Sequence, residues 1–495
     1  MKKNHKTLAE STAKAARIGL SGTIAKFVLQ LAAQLVLLRL VSPSDYGVFA
    51  IAALCLSFAN FLANAGLSAA LIQKEKIDDE DVVCAFSWQL LLGATISAIV
   101  FLVSPFLGLL FKKPELVDVV KILSFVCLLN SASSVANSIL IRDLRYFAIH
   151  KANLFSYAVG YGVVGIGLAY LGYGYFALAC AWLSQSIIQA GLYYSAAPHR
   201  IGFSIHKKNS VFLISFGSKA IVTNLVNWWI NSLDKLVVGR FYGAAETGVY
   251  SVAYNLVFNP LMQFLSTLQS VVFSASSKLN SDDSYRSAIV GTLTFSSFLF
   301  LPVFTALSLA SNAIVTIVLG VGWGDSSSVL EILSISFSFI SIQGLLTPYL
   351  WGKGDVGKEM QIQIVIAFIA AAVIGSLLSG GILCIAKGAL LVSLMRLVLV
   401  LVGISKVFSI QILVIFQAIL PGLMAAMSLL ILGFACLNVA GKLNGGVYSQ
   451  VLVIFFVYIL VMTGFLLVFK RSIFKNIPPL SEDKLWKRFI NRLVR

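Results

Sequence analysis

The sequence predicts an all-α polytopic membrane protein with about 14 transmembrane helices. Two six-helix lobes are expected around a central cavity, with two extra helices appended. Of its 495 residues, 59% are hydrophobic and only 12% are charged, whereas a soluble protein of this size carries about a quarter charged residues. Apolar runs of about 20 residues recur along the chain, as expected of membrane-spanning helices. Ten-residue blocks of alternating polarity are not apparent, which argues against an outer-membrane barrel.

Each element of this prediction follows from an apolar run. No loop between the runs exceeds about a dozen residues, which is ordinary for a link between two helices. Such loops leave no room for a soluble nucleotide-binding or catalytic domain. The fourteen predicted spans are 18–40, 47–71, 83–110, 117–141, 148–170, 174–196, 211–239, 247–275, 287–318, 326–351, 360–384, 388–406, 411–438 and 447–469.

The basic residues predict the orientation. An even number of spans places both termini on the same side of the membrane. If that side is the cytoplasm, the inner segments hold 26 Lys or Arg and the outer segments hold six, with the other five of the 37 inside spans. Lys and Arg concentrate on the cytoplasmic side, so both termini are predicted to be cytoplasmic. The net charge of +17 belongs to these loops and tails, and it therefore does not indicate a nucleic-acid partner.

An internal repeat organises the chain. At an offset of 201 residues, LVLLRLVSPSDYGVFAIA (35–52) matches LVVGRFYGAAETGVYSVA (236–253). Units with an even number of spans share one orientation in the membrane. We therefore predict an N-terminal six-helix lobe at 1–200, a C-terminal six-helix lobe at 201–409, appended helices 13 and 14 at 410–470, and a basic amphipathic cytoplasmic tail at 471–495. Such a tail suits an anionic membrane surface and indicates contact with membrane lipids.

Polar residues four apart mark the candidate site, because positions i and i+4 share one helix face. Lys26 is 13 residues before Arg39, about 20 Å below the outer end of span 1. A lysine at that depth costs about 2.5–3.5 kcal/mol to insert and usually faces water or a partner. We therefore predict a water-filled cavity, although any single amide could instead link helices. The candidate lining residues are Lys26, Gln30, Gln34, Arg39, Asn60, Asn64, Asn227, Asn231, Lys235, Arg240 and Arg396.

The sign of the charge in this cavity predicts the class of substrate. Lys26 and Arg396 lie within spans, and few acidic residues accompany them. A cationic cavity suits an anionic group such as a phosphate or diphosphate. Asp234 and Glu331, near the outer ends of their spans, are candidates for ion pairing or coupling. Trp228 and its neighbour Trp229 either stack on sugar rings or provide packing bulk.

Other signals do not indicate an enzyme or a cofactor. Gly352, Gly357 and Lys358 have the spacing of a phosphate-binding loop, but Glu359 replaces the required Ser or Thr and a membrane helix precedes them. The four histidines show no metal-ligand spacing, and the six cysteines form no C-x-x-C pair. We therefore expect no metal, no nucleotide, no cofactor and no catalytic residue.

RLVSPSDYGVFAIA, followed by FANFLANAGLSAALIQKE, resembles the start of bacterial Wzx-type polysaccharide flippases, in the exopolysaccharide branch that includes colanic acid exporters. The resemblance implies the multidrug/oligosaccharidyl-lipid/polysaccharide exporter fold and a location in the bacterial inner membrane. It also implies alternating-access flipping of undecaprenyl-diphosphate-linked oligosaccharide, with polysaccharide polymerase or export machinery as possible partners. The alternatives are a cation-coupled multidrug exporter of the same superfamily and a membrane polysaccharide polymerase or ligase. An acidic residue inside the first lobe would favour the exporter, and a large outer loop would favour the enzyme.

Overall fold

The computed structural model describes residues 22, 25–64, 71, 77–204, 225–276, 279, 281–442 and 446–475. Every regular element within these ranges is a helix, and they contain no strand. The all-α prediction is therefore confirmed. Eleven helices are long and apolar enough to cross a membrane, and three more described helical segments coincide with the other predicted spans. The protein is a multi-pass membrane protein.

The helices α1 to α14 follow the predicted spans in order. In the first part of the chain they are α1 (25–40), α2 (Pro43–Asn64), α3 (Asp79–Leu110), α4 (Glu115–Arg142), α5 (Tyr146–Tyr170), α6 (Tyr175–Ala196) and α7 (225–241). They continue with α8 (Ala244–Ser276), α9 (Asp282–Leu309), α10 (Ser326–Gly352), α11 (Val356–Ser376), α12 (Gly381–Phe408), α13 (Ile412–Lys442) and α14 (Val447–Lys475). Of the predicted amphipathic tail at 471–495, residues 471–475 belong to α14 and residues 476–495 lie outside the described part.

Two predicted span boundaries were wrong. The break between α11 and α12 lies at 377–380, not at 385–387, because Gly381 adopts a φ of +79°, which favours glycine. Lys387, taken as a loop residue, therefore lies inside α12. The predicted span 287–318 is also divided at Ala310, where α9 ends and a short helix, Ser311–Val318, begins.

The chain forms two compact units, Met1–Gly248 and Val249–Arg495. In the first unit, α4 packs against α2, α3 and α6, and α6 packs against α5. In the second unit, α9 packs against α10, α13 and α14, and α10 packs against α12. A Cβ added to Gly422 would overlap the backbone of Ser297, so α9 and α13 approach closely. The predicted lobe boundary at 200/201 stays a prediction.

The first turns of α2 and α8 meet in a symmetric contact within the first unit. A Cβ added to Gly47 would overlap the carbonyl oxygen of Ala244, and a Cβ added to Gly248 would overlap that of Pro43. Each glycine is 201 residues from the other, and so are the two residues that they meet. We call these four residues the glycine crossing. Two backbones approach this closely only where side chains are absent.

Basic side chains cap the last turns of two helices. Arg145 donates from Nη1 to the carbonyl oxygen of Ala196, the last residue of α6, at 2.7 Å. Lys353 Nζ lies 3.3 Å from the carbonyl oxygen of Val407 near the end of α12 and 2.9 Å from Asp282 Oδ1. The same ammonium lies 4.8 Å from the centre of the Phe408 ring. Cations at helix C-termini satisfy carbonyls that have no partner within the helix.

We expect Lys353→Met to lower the free energy of unfolding by about 1 kcal/mol, because it removes the cap, the ion pair and the contact with the ring. Thermal unfolding of the purified protein in detergent measures the loss. Lys358→Met is the matched control, since among the described residues the half-exposed Lys358 pairs only with Asp355, three residues away, at 3.4 Å. An equal shift in both variants would contradict a capping role for Lys353.

Candidate functional site

The polar stripe of α1 lies on the covered side of the helix. Lys26, Gln30 and Gln34 are half-buried, while Val28, on the opposite side, is 59% exposed. Positions i+3, i+4 and i+7 from the stripe share its face. The apolar residues at those positions are buried: Ala33, Leu37 and Val41. The stripe therefore faces protein and not the apolar exterior.

α5 is the helix that lies beside this stripe. A Cβ added to Gly165 would lie 3.8 Å from Leu37 Cδ1, and one added to Gly22 would overlap the ring of His150. Lys26 interacts electrostatically with His150. The structure therefore places a second basic side chain beside Lys26. From sequence, His150 is expected at the membrane interface beside a span, and it is not among the predicted site residues.

The polar residues of α7 bond largely to their own helix. Asn231 Nδ2 donates to the carbonyl oxygen of Asn227 at 2.8 Å, and Lys235 Nζ donates to that of Asn231 at 2.7 Å. Asp234 is buried, and its Oδ1 accepts from the backbone N–H of Lys235 at 2.8 Å. These contacts stay within α7, so part of the polar capacity of this face is used by the helix itself.

Two contacts place α2 beside α4 and α7. Asn60 Oδ1 accepts from Asn130 Nδ2 on α4 at 3.4 Å. Trp228 Nε1 donates to Ser57 Oγ at 2.7 Å, and its ring lies 4.8 Å from that of Phe58. Trp228 is thus a packing residue, whereas Trp229 is 41% exposed. The side chain of Asn64 lies outside the described residues.

The predicted arginines occupy different surroundings. Arg39 is exposed, and Arg240 is half-buried with its guanidinium 5.7 Å from the centre of the Phe241 ring. Each arginine is the penultimate residue of its helix, Arg39 in α1 and Arg240 in α7. Arg39 is therefore about 20 Å from Lys26 along the axis of α1.

The second unit contains a separate polar group around Arg396. Arg396 is 8% exposed, and its Nε has no hydrogen-bond partner in the described part of the chain. Glu359 interacts with it electrostatically and accepts from Trp351 Nε1 and, at 3.5 Å, from Gln363 Nε2. Glu331 is exposed and is not part of this group. This group therefore combines a buried guanidinium with the carboxylate that compensates its charge.

Three residues absent from the predicted site form a hydrogen-bonded cluster in the first unit. Asn153 on α5 accepts at Oδ1 from Gln189 Nε2 and, at 2.8 Å, from the hydroxyl of Tyr193, both on α6. Gln189 Nε2 lies 3.1 Å from the same hydroxyl. The sequence signal was weak, because Asn153 is isolated on its helix. The spacing of Gln189 and Tyr193, four apart within span 6, was the only available sign.

The described residues contain no group of three or more His, Cys, Asp or Glu that could hold a metal ion. The polar side chains of the candidate site in the first unit are amides, hydroxyls, an imidazole, two ammonium groups, two guanidiniums and the buried carboxylate of Asp234. Such groups bind anions and hydroxyl-rich ligands by hydrogen bonding and charge.

The chain is similar in sequence to known proteins of polysaccharide biosynthesis. Residues 36–328 match the sequence model of a family described as "Polysaccharide biosynthesis protein". The chain is 23% identical to the lipopolysaccharide biosynthesis protein WzxC of Escherichia coli (strain K12), over 79% of this chain and 80% of WzxC. It is 25% identical to the succinoglycan biosynthesis transport protein ExoT of Rhizobium meliloti (strain 1021), over 65% of each chain.

Solved structures share the fold. An inward closed conformation of the lipid II flippase MurJ superposes with a TM-score of 0.72, at 14% identity, and the match covers 91% of this chain and all of MurJ. An inward-facing multidrug resistance transporter of the MATE family, from the MOP superfamily, gives a TM-score of 0.63 at 17% identity, over 80% and 98% of the two chains. The predicted exporter-type fold is therefore confirmed.

Proposed function

Because the chain belongs to the family of polysaccharide biosynthesis proteins, we propose that it flips lipid-linked oligosaccharides across the bacterial inner membrane. The substrate is an undecaprenyl-diphosphate-linked repeat unit for exopolysaccharide or O-antigen type export. Two relatives support this proposal. WzxC is named as a lipopolysaccharide biosynthesis protein, and ExoT as a succinoglycan biosynthesis transport protein. The observation that carries it is the polar stripe of α1, which is turned towards protein within a membrane-spanning helix.

The diphosphate, the sugars and the polyprenyl chain of the substrate each have different surroundings in this proposal. Lys26 provides an ammonium for the diphosphate, and Gln30 and Gln34 bind hydroxyl groups along the same face. The polyprenyl chain stays in lipid, since transferring it through a polar region would cost about 0.8 kcal/mol per CH₂ group. Both termini are cytoplasmic in this proposal, so α1 and α5 begin at the cytoplasmic side.

Transport proceeds by alternating access, without covalent chemistry. The substrate enters from one leaflet and leaves to the other as the polar groups become accessible to each side in turn. A polysaccharide polymerase or export machinery then consumes the product at the periplasmic face. Such a transporter needs binding groups of moderate strength, and amides with a few cations provide them.

Deletion of the gene tests the proposal. We expect undecaprenyl-diphosphate-linked repeat units to accumulate, as measured by mass spectrometry of extracted lipids, and the accumulated lipid to remain inaccessible to a glycosidase added to the periplasmic side. Complementation with the unaltered gene restores access. The proposal is overturned if the lipid-linked saccharide becomes accessible at the same rate without the protein, or if the deletion alters drug susceptibility alone.

A further inference from the structure

The Asn153–Gln189–Tyr193 cluster has a geometry that simple helix linking does not need. Tyr193 is 6% exposed, and its hydroxyl contacts both amides. Asn153 Oδ1 accepts two hydrogen bonds, so the orientation of that amide is fixed. A buried phenol therefore holds two half-buried amides in one arrangement. Preorganised polar groups of this kind are typical of ligand sites.

Half of the hydrogen-bonding capacity of the two amides is unused. Within the described part of the chain, Asn153 Nδ2 donates no side-chain hydrogen bond and Gln189 Oε1 accepts none. Neither atom belongs to the buried polar atoms that lack a partner, and both residues are half-buried. One fixed donor group and one fixed acceptor thus remain open. A hydroxyl group both donates and accepts, so neighbouring hydroxyls of a sugar match this pair.

The cluster lies at one depth and beside the cationic residues of the same unit. Asn153 is seven residues after Tyr146, and Gln189 is seven residues before Ala196, which places both about 10 Å from the same end of their helices. His150 precedes Asn153 by three residues on the same face of α5. Since Lys26 interacts electrostatically with His150, the neutral cluster begins about one helical turn from the imidazole that lies near this lysine.

An apolar wall adjoins the cluster. Tyr157, one turn beyond Asn153, is buried and stacks on Tyr161 with ring centres 4.6 Å apart and planes within 12°. Tyr161 lies in the segment Ala158–Gly165, which directly follows Tyr157 and is a π-helix, a form found frequently at functional sites. Along α5 the order is therefore His150, the amide of Asn153 and the aromatic pair of Tyr157 and Tyr161.

We propose that Asn153 and Gln189, positioned by Tyr193, bind the hydroxyl groups of the sugar next to the diphosphate and so determine which saccharides are accepted. This inference rests on the proposed flippase function, and it assigns saccharide recognition to a site outside the stripe of α1. Losing a hydrogen bond to a buried, prearranged polar group weakens binding of the ligand that used it, and has no effect on a ligand that lacks that group.

Two probes test the assignment on the full-length protein in nanodiscs. One is the undecaprenyl-diphosphate saccharide extracted from the deletion strain, and the other is undecaprenyl diphosphate without sugar. We expect Asn153→Leu and Gln189→Leu each to weaken binding of the saccharide probe by about tenfold or more and to change binding of the sugar-free probe by less than about twofold. The conservative Tyr193→Phe change is expected to weaken binding of the saccharide probe by about three- to tenfold.

Tyr194→Phe is the matched control, since Tyr194 is exposed and its hydroxyl contacts, in the part of the chain that the structure describes, only the carbonyl oxygen of His199 at 3.4 Å. This change should alter the binding of neither probe. If the three variants weaken the binding of both probes equally, the cluster only links helices and the inference is overturned. Unchanged binding of both probes would also overturn it. If the unaltered protein binds neither probe, the proposed function fails first and the inference fails with it.

Discussion

We expect Gly47→Val and Gly248→Val each to abolish saccharide export and to leave little folded protein. A Cβ at either position of the glycine crossing would overlap a backbone carbonyl oxygen, of Ala244 or Pro43 respectively. Backbone atoms cannot rotate away as a side chain can, so the first turns of α2 and α8 would have to separate. Overpacking of this kind costs about 3 kcal/mol or more. Yield after purification, thermal unfolding and export in the complemented deletion strain measure the effect.

Gly167→Ala provides the control for this prediction. Gly167 is also helical, lies in the same unit, and has no atom within 4 Å of an added Cβ. Alanine there should leave export unchanged and raise helix stability by up to about 1 kcal/mol. Should Gly47→Val fold and transport normally, the close approach of the two helices would be refuted.

Replacement of Lys26 by methionine is expected to lower export by about ten- to a hundredfold at equal protein levels. A charge-assisted hydrogen bond contributes about 1.5–3 kcal/mol, and methionine retains the length of the side chain without its charge. Lys26→Arg keeps the cation and should retain most of the export. Pulse labelling of the exported polysaccharide, normalised to membrane protein, measures each variant.

Lys121→Met separates the role of this site from a general effect of removing lysines. Lys121 also lies within a membrane-spanning helix, α4, but its ammonium rests 5.8 Å from the centre of the Phe101 ring. We expect export by this variant to stay within about twofold of normal, since a cation–π contact at such a site contributes about 0.5–1 kcal/mol to stability and none to substrate binding. Full export by Lys26→Met would remove Lys26 from the mechanism.

The helices were predictable from sequence because lipid imposes one length scale on every span. All fourteen predicted spans overlap described helices. The errors came from misjudged breaks: Lys387 was taken as a loop marker, although a lysine can extend from within a span towards its end. The glycine at 381 was the better signal. The break at Ala310 has no Gly or Pro beside it, so local sequence preference gave no sign of it.

The candidate site was predictable only in part, for a related reason. Spacing of four within one helix identified the stripe of α1, which the structure places on a covered face. The spacing of residues within one helix does not predict which residues of other helices they contact. Asn153 meets Gln189 only because α5 and α6 pack together, and the pairing of Asn60 with Asn130 depends likewise on α2 and α4. Conversely, periodicity could not reveal that Asn231 and Lys235 bond to their own helix.

The wide turn Ala158–Gly165 has a consequence for the history of the chain. α5 contains 25 residues, whereas α11, its counterpart under the predicted duplication, contains 21. A π-helix accommodates added residues without a matching gain in length, because each turn holds more of them. Insertions into an ancestral α5 would therefore have been absorbed as a bulge, while the flanking loops stayed in place. The offset between the two halves falls by the same four residues across this helix, from 210 between the starts of α5 and α11 to 206 between the starts of α6 and α12.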